Sequence, residues 1–248
     1  MPIAKPTDIS GCVLWLDPSD TDTVTTVTGA VSQITDKSGN SNTASQGTST
    51  KRPAYAVDAL TGRYKMGFDG GDTLEVADHA TLDVTTGLSV FLAVNASTWG
   101  AYSYIVSKDT TADTAAFAIR TNATPTTLAG FVNGTSAQIC ASSSAAGRHI
   151  FGYTYNKTSI IGRRDRVTDG NVAYTTDIAT NAKNLYIGAG RSAADFAYTG
   201  DIGEVVIYNK ALTGVDLADI ERYLYERWMV EQRKRSGPIR NRPAMFKP

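Results

Sequence analysis

The chain has 248 residues, 24 of them basic and 24 acidic, so its formal net charge is zero and it is not a generally basic nucleic-acid binder. Two cysteines, Cys12 and Cys140, are too few for a disulfide framework and are expected as buried thiols. MPIAKPTDIS at the start lacks the basic-then-apolar pattern of a secretory signal, VLWL (13–16) is too short to span a bilayer, and no Pro/Gly/Ser linker divides the chain into two domains.

Cys12 to Leu16, CVLWL, is a continuous apolar run closed by Asp17-Pro18, which predicts a buried strand paired with the last one. Val24 to Val31 reads as a threonine-rich hairpin around Thr28-Gly29. In the turn that follows, Asp36-Lys37-Ser38-Gly39-Asn40, Asp36 accepts from amides two residues on and Gly39 supplies a positive φ. Its first reading is structural and its second a ligand loop. Lys51 to Tyr55 is held extended by Pro53. Met66 to Phe68 and Leu74 to Val76 are short strands flanking Asp69-Gly70-Gly71-Asp72. Asp69 and Asp72 carry oxygen ligands of the kind Ca²⁺ takes but lack the alternating spacing of an EF-hand loop, so a tight turn is the first reading and a calcium site the second.

Leu88 to Ala96, LSVFLAVNA, is a second buried strand, and Tyr104 to Ser107 is expected to pair with it across a loop bearing Trp99 and Tyr102. Trp99, Tyr102 and Tyr104 suit closing the end of a sandwich as a first reading and stacking on a sugar ring as a second. Ala115 to Arg120, Leu128 to Asn133, Ala137 to Ala141, His149 to Tyr155, Asn171 to Ala173 and Leu185 to Ile187 follow as strands between polar turns.

From Ile202 to Tyr208, IGEVVIY is apolar on both faces apart from Gly203 and Glu204, the pattern of a strand covered from two sides. Thr213 and Asp216 have capping-box spacing, so a helix is predicted to start at Gly214. Leu217, Ile220, Leu224 and Trp228 then recur at three- and four-residue steps, with Asp219, Glu221, Arg222 and Glu226 off that stripe. The stripe is read as core packing against a sheet. About a dozen short strands without helices between them mean antiparallel pairing in a two-sheet sandwich or barrel.

VLWLDPSD (13–20), DKSGNSN (36–42), RPAY (52–55), MGFDGGDTLEV (66–76), LSVFLAV (88–94), RHIFGYTYN (148–156), NLYIGAG (184–190) and YTGDIGEVVIYNKALT (198–213) stand in a telling order. With the helix after them, they resemble the LamG-like, concanavalin A-type lectin/glucanase jelly roll in the form found in tailed-phage virion proteins. The resemblance implies an all-β, two-sheet antiparallel jelly-roll sandwich over residues 1–212, a C-terminal amphipathic helix over 213–235 packed on it, and a basic extended tail over 236–248.

Catalysis finds little support. The glucanase branch of that superfamily uses a Glu-x-Asp-x-x-Glu strand, which this chain lacks. Its glutamates are Glu75, Glu204, Glu221, Glu226 and Glu231, and the three-residue spacing of Glu75 and Asp78 throws them to opposite faces of a strand. His79 lies in a polar turn, and the resemblance implies a structural role for His149. Gly-x-Ser-x-Gly is absent, and two histidines with two cysteines make no recognisable zinc cluster. The expectation is a protein without catalytic residues or an obligatory cofactor.

Residues 227–248 carry seven basic residues and one acid, Glu231. Arg233, Lys234, Arg235, Arg240, Arg242 and Lys247 form a cationic arm, with Phe246 among its apolar anchors. That arm is expected to order on docking to an acidic neighbouring subunit. The functional expectation is a virion structural protein, a capsid decoration or tail-associated component present as a homo-oligomer or in many copies, with no membrane or nucleic-acid partner. The alternative is a glycan-binding adsorption module that recognises a host surface polysaccharide through Trp99, Tyr102 and Tyr104, with or without Ca²⁺ near Asp69 and Asp72. A glycan-cleaving enzyme comes third.

Overall fold

A computed structural model describes residues 3–231 apart from 97, 109–115, 124–126, 142–145 and 191–196, and apart from the side chains of 138, 140 and 141. The basic arm from Arg233 to Lys247 and the Cys140 thiol lie outside the described residues. In chain order the strands are β1 (Cys12–Leu16), β2 (Val24–Val27), β3 (Ala30–Ile34), β4 (Ala44–Ser45), β5 (Ala54–Val57), β6 (Tyr64–Asp69), β7 (Leu74–Val76), β8 (Leu88–Ala96) and β9 (Tyr104–Lys108). They continue with β10 (Phe117–Thr121), β11 (Thr127–Val132), β12 (Thr135–Ala141), β13 (Gly147–Tyr155), β14 (Ser159–Arg164), β15 (Val167–Ala173), β16 (Leu185–Ile187) and β17 (Thr199–Tyr208), and the helix α1 (Gly214–Trp228) closes the series.

Every pairing is antiparallel. One layer runs β15-β14-β13-β8-β17-β1, with β6 and then β5 beside the first half of β17. The other runs β2-β3-β4-β7-β16-β9-β10-β11-β12, and a bridge between Ala30 and Ala54 links the layers through β3 and β5. This is the expected all-β sandwich with one C-terminal helix.

The first strand pairs with the last, Trp15 opposite Val206 and Leu16 opposite Val205. One expected pairing fails: β9 does not join β8 but lies in the other layer between β10 and β16, while β8 sits between β13 and β17. The reason is that β8 is apolar on both faces. Val90, Leu92 and Val94 fill the core between the layers, and Phe91 and Ala93 face α1, so β8 belongs at the centre of the helix-covered layer and the next strand crosses to the other. β14 escaped sequence reading because Ser159, Gly162, Arg163 and Arg164 leave it too few apolar positions for a clear alternation.

The helix starts at Gly214 as predicted, yet the capping box does not form. Thr213 makes no side-chain cap bond, and the Asp216 carboxylate is drawn instead to Lys210 Nζ at 3.0 Å. The helix ends at Trp228, short of the expected 235, with Met229 N–H still bonded to Tyr225 O. Ile220, Leu224 and Trp228 pack on Trp15, Phe91, Ile150 and Val206, each burial contributing about 1.5–3 kcal/mol before side-chain entropy. Leu217 is only partly buried, and the buried face is wider than the apolar stripe. Glu221 is buried because Arg163 of β14 grips it through Nε at 2.7 Å and Nη2 at 2.8 Å.

Gly203 and Glu204, the two residues that interrupt the apolar run of β17, are the two that receive Trp228. A Cβ on Gly203 would lie 2.6 Å from the indole, so only glycine lets the ring rest on the strand. Glu204 is fully buried and accepts from Trp15 Nε1 (2.7 Å), Tyr223 OH (3.0 Å), Arg227 Nε (2.9 Å) and Trp228 Nε1 (2.8 Å). Burial pushes its pKa above the ordinary value, the Asp17 charge adds to this, and the Arg227 guanidinium and the two indoles oppose it. Arg227 also reaches Asp17 through Nη2, which makes the carboxylates and guanidinium one buried clamp.

Candidate functional site

The three aromatic residues singled out from the sequence do not meet. Trp99 turns into the sandwich, where its ring lies 5.4 Å from Tyr198 and 6.3 Å from Phe151, with Nε1 buried and without a hydrogen-bond partner among the described residues. Tyr102 and Tyr104 go to the outer face of β9 and flank Arg120 of β10, each ring centroid 5.2 Å from the guanidinium carbon, with Phe131 at 4.0 Å. Tyr104 is 1% exposed and Arg120 8%, so within this cation–π stack only Tyr102, half-buried, keeps exposed surface.

Asp69 and Asp72 serve their own turn. Asp69 Oδ1 accepts from Gly71 N–H at 2.8 Å, and Asp72 Oδ2 from Asp69 N–H at 3.1 Å. Calcium takes about six to eight oxygens, and among the described residues no group of three acidic, histidine or cysteine side chains converges. Both carboxylates are engaged by the backbone of their own turn. Burial pushes the Asp72 pKa up to about 6. His149 fills a structural place, Nδ1 2.7 Å from Asp165 Oδ2 and its ring stacked on Phe151. Cys12 is a free, buried thiol whose pKa burial lifts to about 12, so it is inert at neutral pH.

What the fold does assemble is a polar cleft of about 290 Å³ at one end of the sandwich, lined by Val13, Asn40, Ala80, Thr81, Asp83, Val84, Thr85, Thr86 and Asn209. Its first wall is the Asp36 loop. Asp36 is buried and accepts from Trp15 N–H (2.9 Å), Ser38 N–H (2.8 Å), Ser38 Oγ (2.6 Å) and Asn42 N–H (3.0 Å). Folded that way, the loop ties Asn40 Nδ2 to Cys12 O at 3.1 Å and Asn42 Nδ2 to Val13 O at 2.7 Å, fixing it along β1.

The opposite wall is the segment that leads into β8. Asn42 Nδ2 donates to Thr81 Oγ1 at 2.8 Å, and Thr81 Oγ1 lies 2.8 Å from His79 Nδ1, so the two walls are hydrogen-bonded together. Behind them Lys108 of β9 is 0% exposed, and its ammonium reaches Asp78 Oδ1 at 2.5 Å, Lys183 O at 3.0 Å and Asp83 Oδ1 at 3.3 Å. Asp83 Oδ1 is buried and has no hydrogen bond of good geometry. The Thr85 and Thr86 hydroxyls and the Asn209 amide stand exposed on the rim. Glu75 and Asp78 are engaged separately, Glu75 by Asn184 Nδ2 at 3.3 Å and Asp78 by Lys108. The sequence reading placed Asn40 in a turn and Asn209 at a strand end but missed Thr81, Asp83, Thr85 and Thr86. No pattern marks such residues, since rim threonines are indistinguishable from turn threonines.

No known family profile matches the chain, and no curated protein matches it in sequence. Solved structures match it in fold. Domain 4 of AbnA, a GH43 extracellular arabinanase from Geobacillus stearothermophilus solved with arabinotriose, superposes with a TM-score of 0.59 at 16% identity, over 85% of this chain and 98% of that domain. The fold they share is an all-β jelly-roll sandwich. The binding domain of Paraclostridial Mosquitocidal Protein 1 gives 0.64 at 9% identity over 89% of this chain and 53% of that one. The binding domain of botulinum neurotoxin DC, solved with rat synaptotagmin II, gives 0.58 at 13% over 89% and 52%. The chain thus spans about half of the two toxin binding domains. At such identities the likeness shows the fold alone, and the virion part of the expectation rests on the sequence.

Proposed function

We propose that this chain is a non-catalytic glycan-binding module whose ligand occupies the cleft between the Asp36 loop and the 80–86 segment. The observation that carries the reading is the lining of that cleft. Neutral hydroxyl and amide groups of Thr81, Thr85, Thr86 and Asn209 surround it, with Val13 and Val84 as apolar contacts and Asp83 as one acid. Hydroxyl-rich ligands need such alternating donors and acceptors, and the volume lies near the lower end of the about 300–1,000 Å³ of small-molecule sites. The fold shared with an arabinanase domain that was solved with a trisaccharide supports the same reading. Glycoside hydrolysis needs two carboxylates about 5–9.5 Å apart across the bond, and Asp83 is the one carboxylate among the described residues lining the cleft. Calorimetric titration with a panel of oligosaccharides tests the reading. Thr86→Ala with Asn209→Ala is expected to abolish binding at an unchanged melting temperature, and undiminished binding by that variant would move the site elsewhere.

A second reading concerns attachment. The arm of Arg233, Lys234, Arg235, Arg240, Arg242, Phe246 and Lys247 follows closely on a helix end clamped by Arg227 and Trp228, which suits a tether to an acidic subunit of a larger particle such as a virion. Deletion of residues 236–248 is expected to leave melting temperature and glycan binding unchanged while abolishing incorporation into particles. Normal incorporation of the truncated chain would end this reading.

A further inference from the structure

The cleft is uneven in charge, and that unevenness has a consequence for what it holds. Among the described residues that line it there is no lysine, arginine or histidine. Lys108, which reaches the lining residue Asp83, is buried and committed to Asp78, Asp83 and the Lys183 carbonyl. Lys210, next in sequence to Asn209, is held by Ser10 Oγ at 3.1 Å and Asp216 at 3.0 Å. His79 is bonded to Thr81. Asp83 has a side chain 28% exposed although its Oδ1 is buried, so the exposure falls on the other atoms of the side chain. Among the described residues the cleft therefore offers an anionic acceptor, neutral hydroxyls and an amide, with no lysine, arginine or histidine on its lining to balance an anion.

We infer that the cleft selects neutral saccharides, reading adjacent hydroxyls through Asp83 and Asn209, and turns away sugars that carry a carboxylate or sulfate. The inference rests on the glycan-binding reading of the same cleft. A pair of adjacent sugar hydroxyls donates to the Asp83 carboxylate while accepting from the Asn209 amide and the rim threonines, each donor meeting an acceptor. Exchanging a sugar hydroxymethyl for a carboxylate puts a second negative charge within a few ångströms of Asp83. In a cleft of intermediate dielectric, one unbalanced like charge at that range weakens binding by roughly tenfold or more, and salt diminishes the effect.

The test uses the full chain and calorimetric titration with matched probes: oligosaccharides of glucose, galactose and mannose, each paired with the oligomer of the corresponding uronic acid. The expected result is that the neutral member of the binding pair is held about tenfold or more tighter, with the gap narrowing as salt is added. In Asp83→Asn, which keeps the shape and removes the charge, the gap is expected to close to within about twofold. Should that variant fold poorly, the salt dependence of the unaltered chain decides. Equal or tighter binding of the uronic member overturns the inference and leaves glycan binding intact, as does a gap that salt and Asp83→Asn both leave unmoved. A panel in which no saccharide binds removes the binding reading itself, and the inference with it.

Discussion

Replacing Glu204 by glutamine tests the clamp that holds the helix to the sandwich. Oε1 accepts from Trp15 Nε1 and Tyr223 OH, and Oε2 from Arg227 Nε and Trp228 Nε1. A glutamine amide in the same place leaves two buried donors unmatched if its NH₂ faces Arg227 and Trp228, and at least the Trp15 N–H unmatched if it faces Trp15 and Tyr223, whose hydroxyl can turn to accept. Each unmatched donor costs about 1–3 kcal/mol, and removing one partner of a buried ion pair about 3–5 kcal/mol. Arg227 retains Asp17 at 2.9 Å, which places the expected loss near the lower end, about 3 kcal/mol. For a chain of this size each kcal/mol moves the melting temperature by about 2–4 °C, so calorimetry should show a fall of about 6–12 °C. Two of the three tryptophans, Trp15 and Trp228, donate to Glu204, so the emission maximum should shift to the red as well. A melting temperature within about 2 °C of the parent, with unchanged emission, would refute the assignment of Glu204 as the anchor of α1.

Gly203→Ala should destabilise by about 1–3 kcal/mol in thermal melts, because its Cβ would lie 2.6 Å from an indole whose N–H fixes it in place; an unchanged melting temperature would mean the ring can move aside. Asp72, 5% exposed, has a folded-state pKa pushed up to about 6 from 3.8, so its contribution favours the folded state below the unfolded value and is lost as pH rises through about 6. Asp72→Asn should therefore gain roughly 2–3 kcal/mol relative to the parent between about pH 4 and pH 7.5 in urea titrations; a constant difference across that window would contradict the raised pKa. Tyr102→Ala should cost about 0.5–2 kcal/mol through the lost Arg120 contact and leave glycan affinity untouched, whereas a lost affinity would return the site to the aromatic loop.

The elements with the strongest local pattern were legible in the amino-acid sequence. CVLWL announced a strand buried on both faces, and its pairing with IGEVVIY follows from the need of both runs for cover. The stripe of Ile220, Leu224 and Trp228 announced a docked helix, since spacing alone puts those residues on one face. Asp36 was legible as the centre of a turn, although its accepting from Asn42 N–H and Trp15 N–H was not. Where a signal had two readings, spacing did not choose between them. Trp99 lies on a loop like Tyr102, but it filled the sandwich while Tyr102 stacked on Arg120.

What the sequence by itself determined is therefore the class of fold and the face each strand and the helix bury, because periodicity is set by neighbours in the chain. Which strands pair beyond β1 with β17, why β17 carries a glycine and a glutamate within its apolar run, and where the ligand groups converge were decided by the tertiary structure alone. Val13, Asn40, Asp83 and Asn209 stand in four separate stretches of the chain and meet only because β1 closes on β17 and the Asp36 loop is bonded to the segment before β8. The lining of such a cleft depends on long-range pairing, and polar residues that look like ordinary turn chemistry acquire a role only when the sheets bring them together.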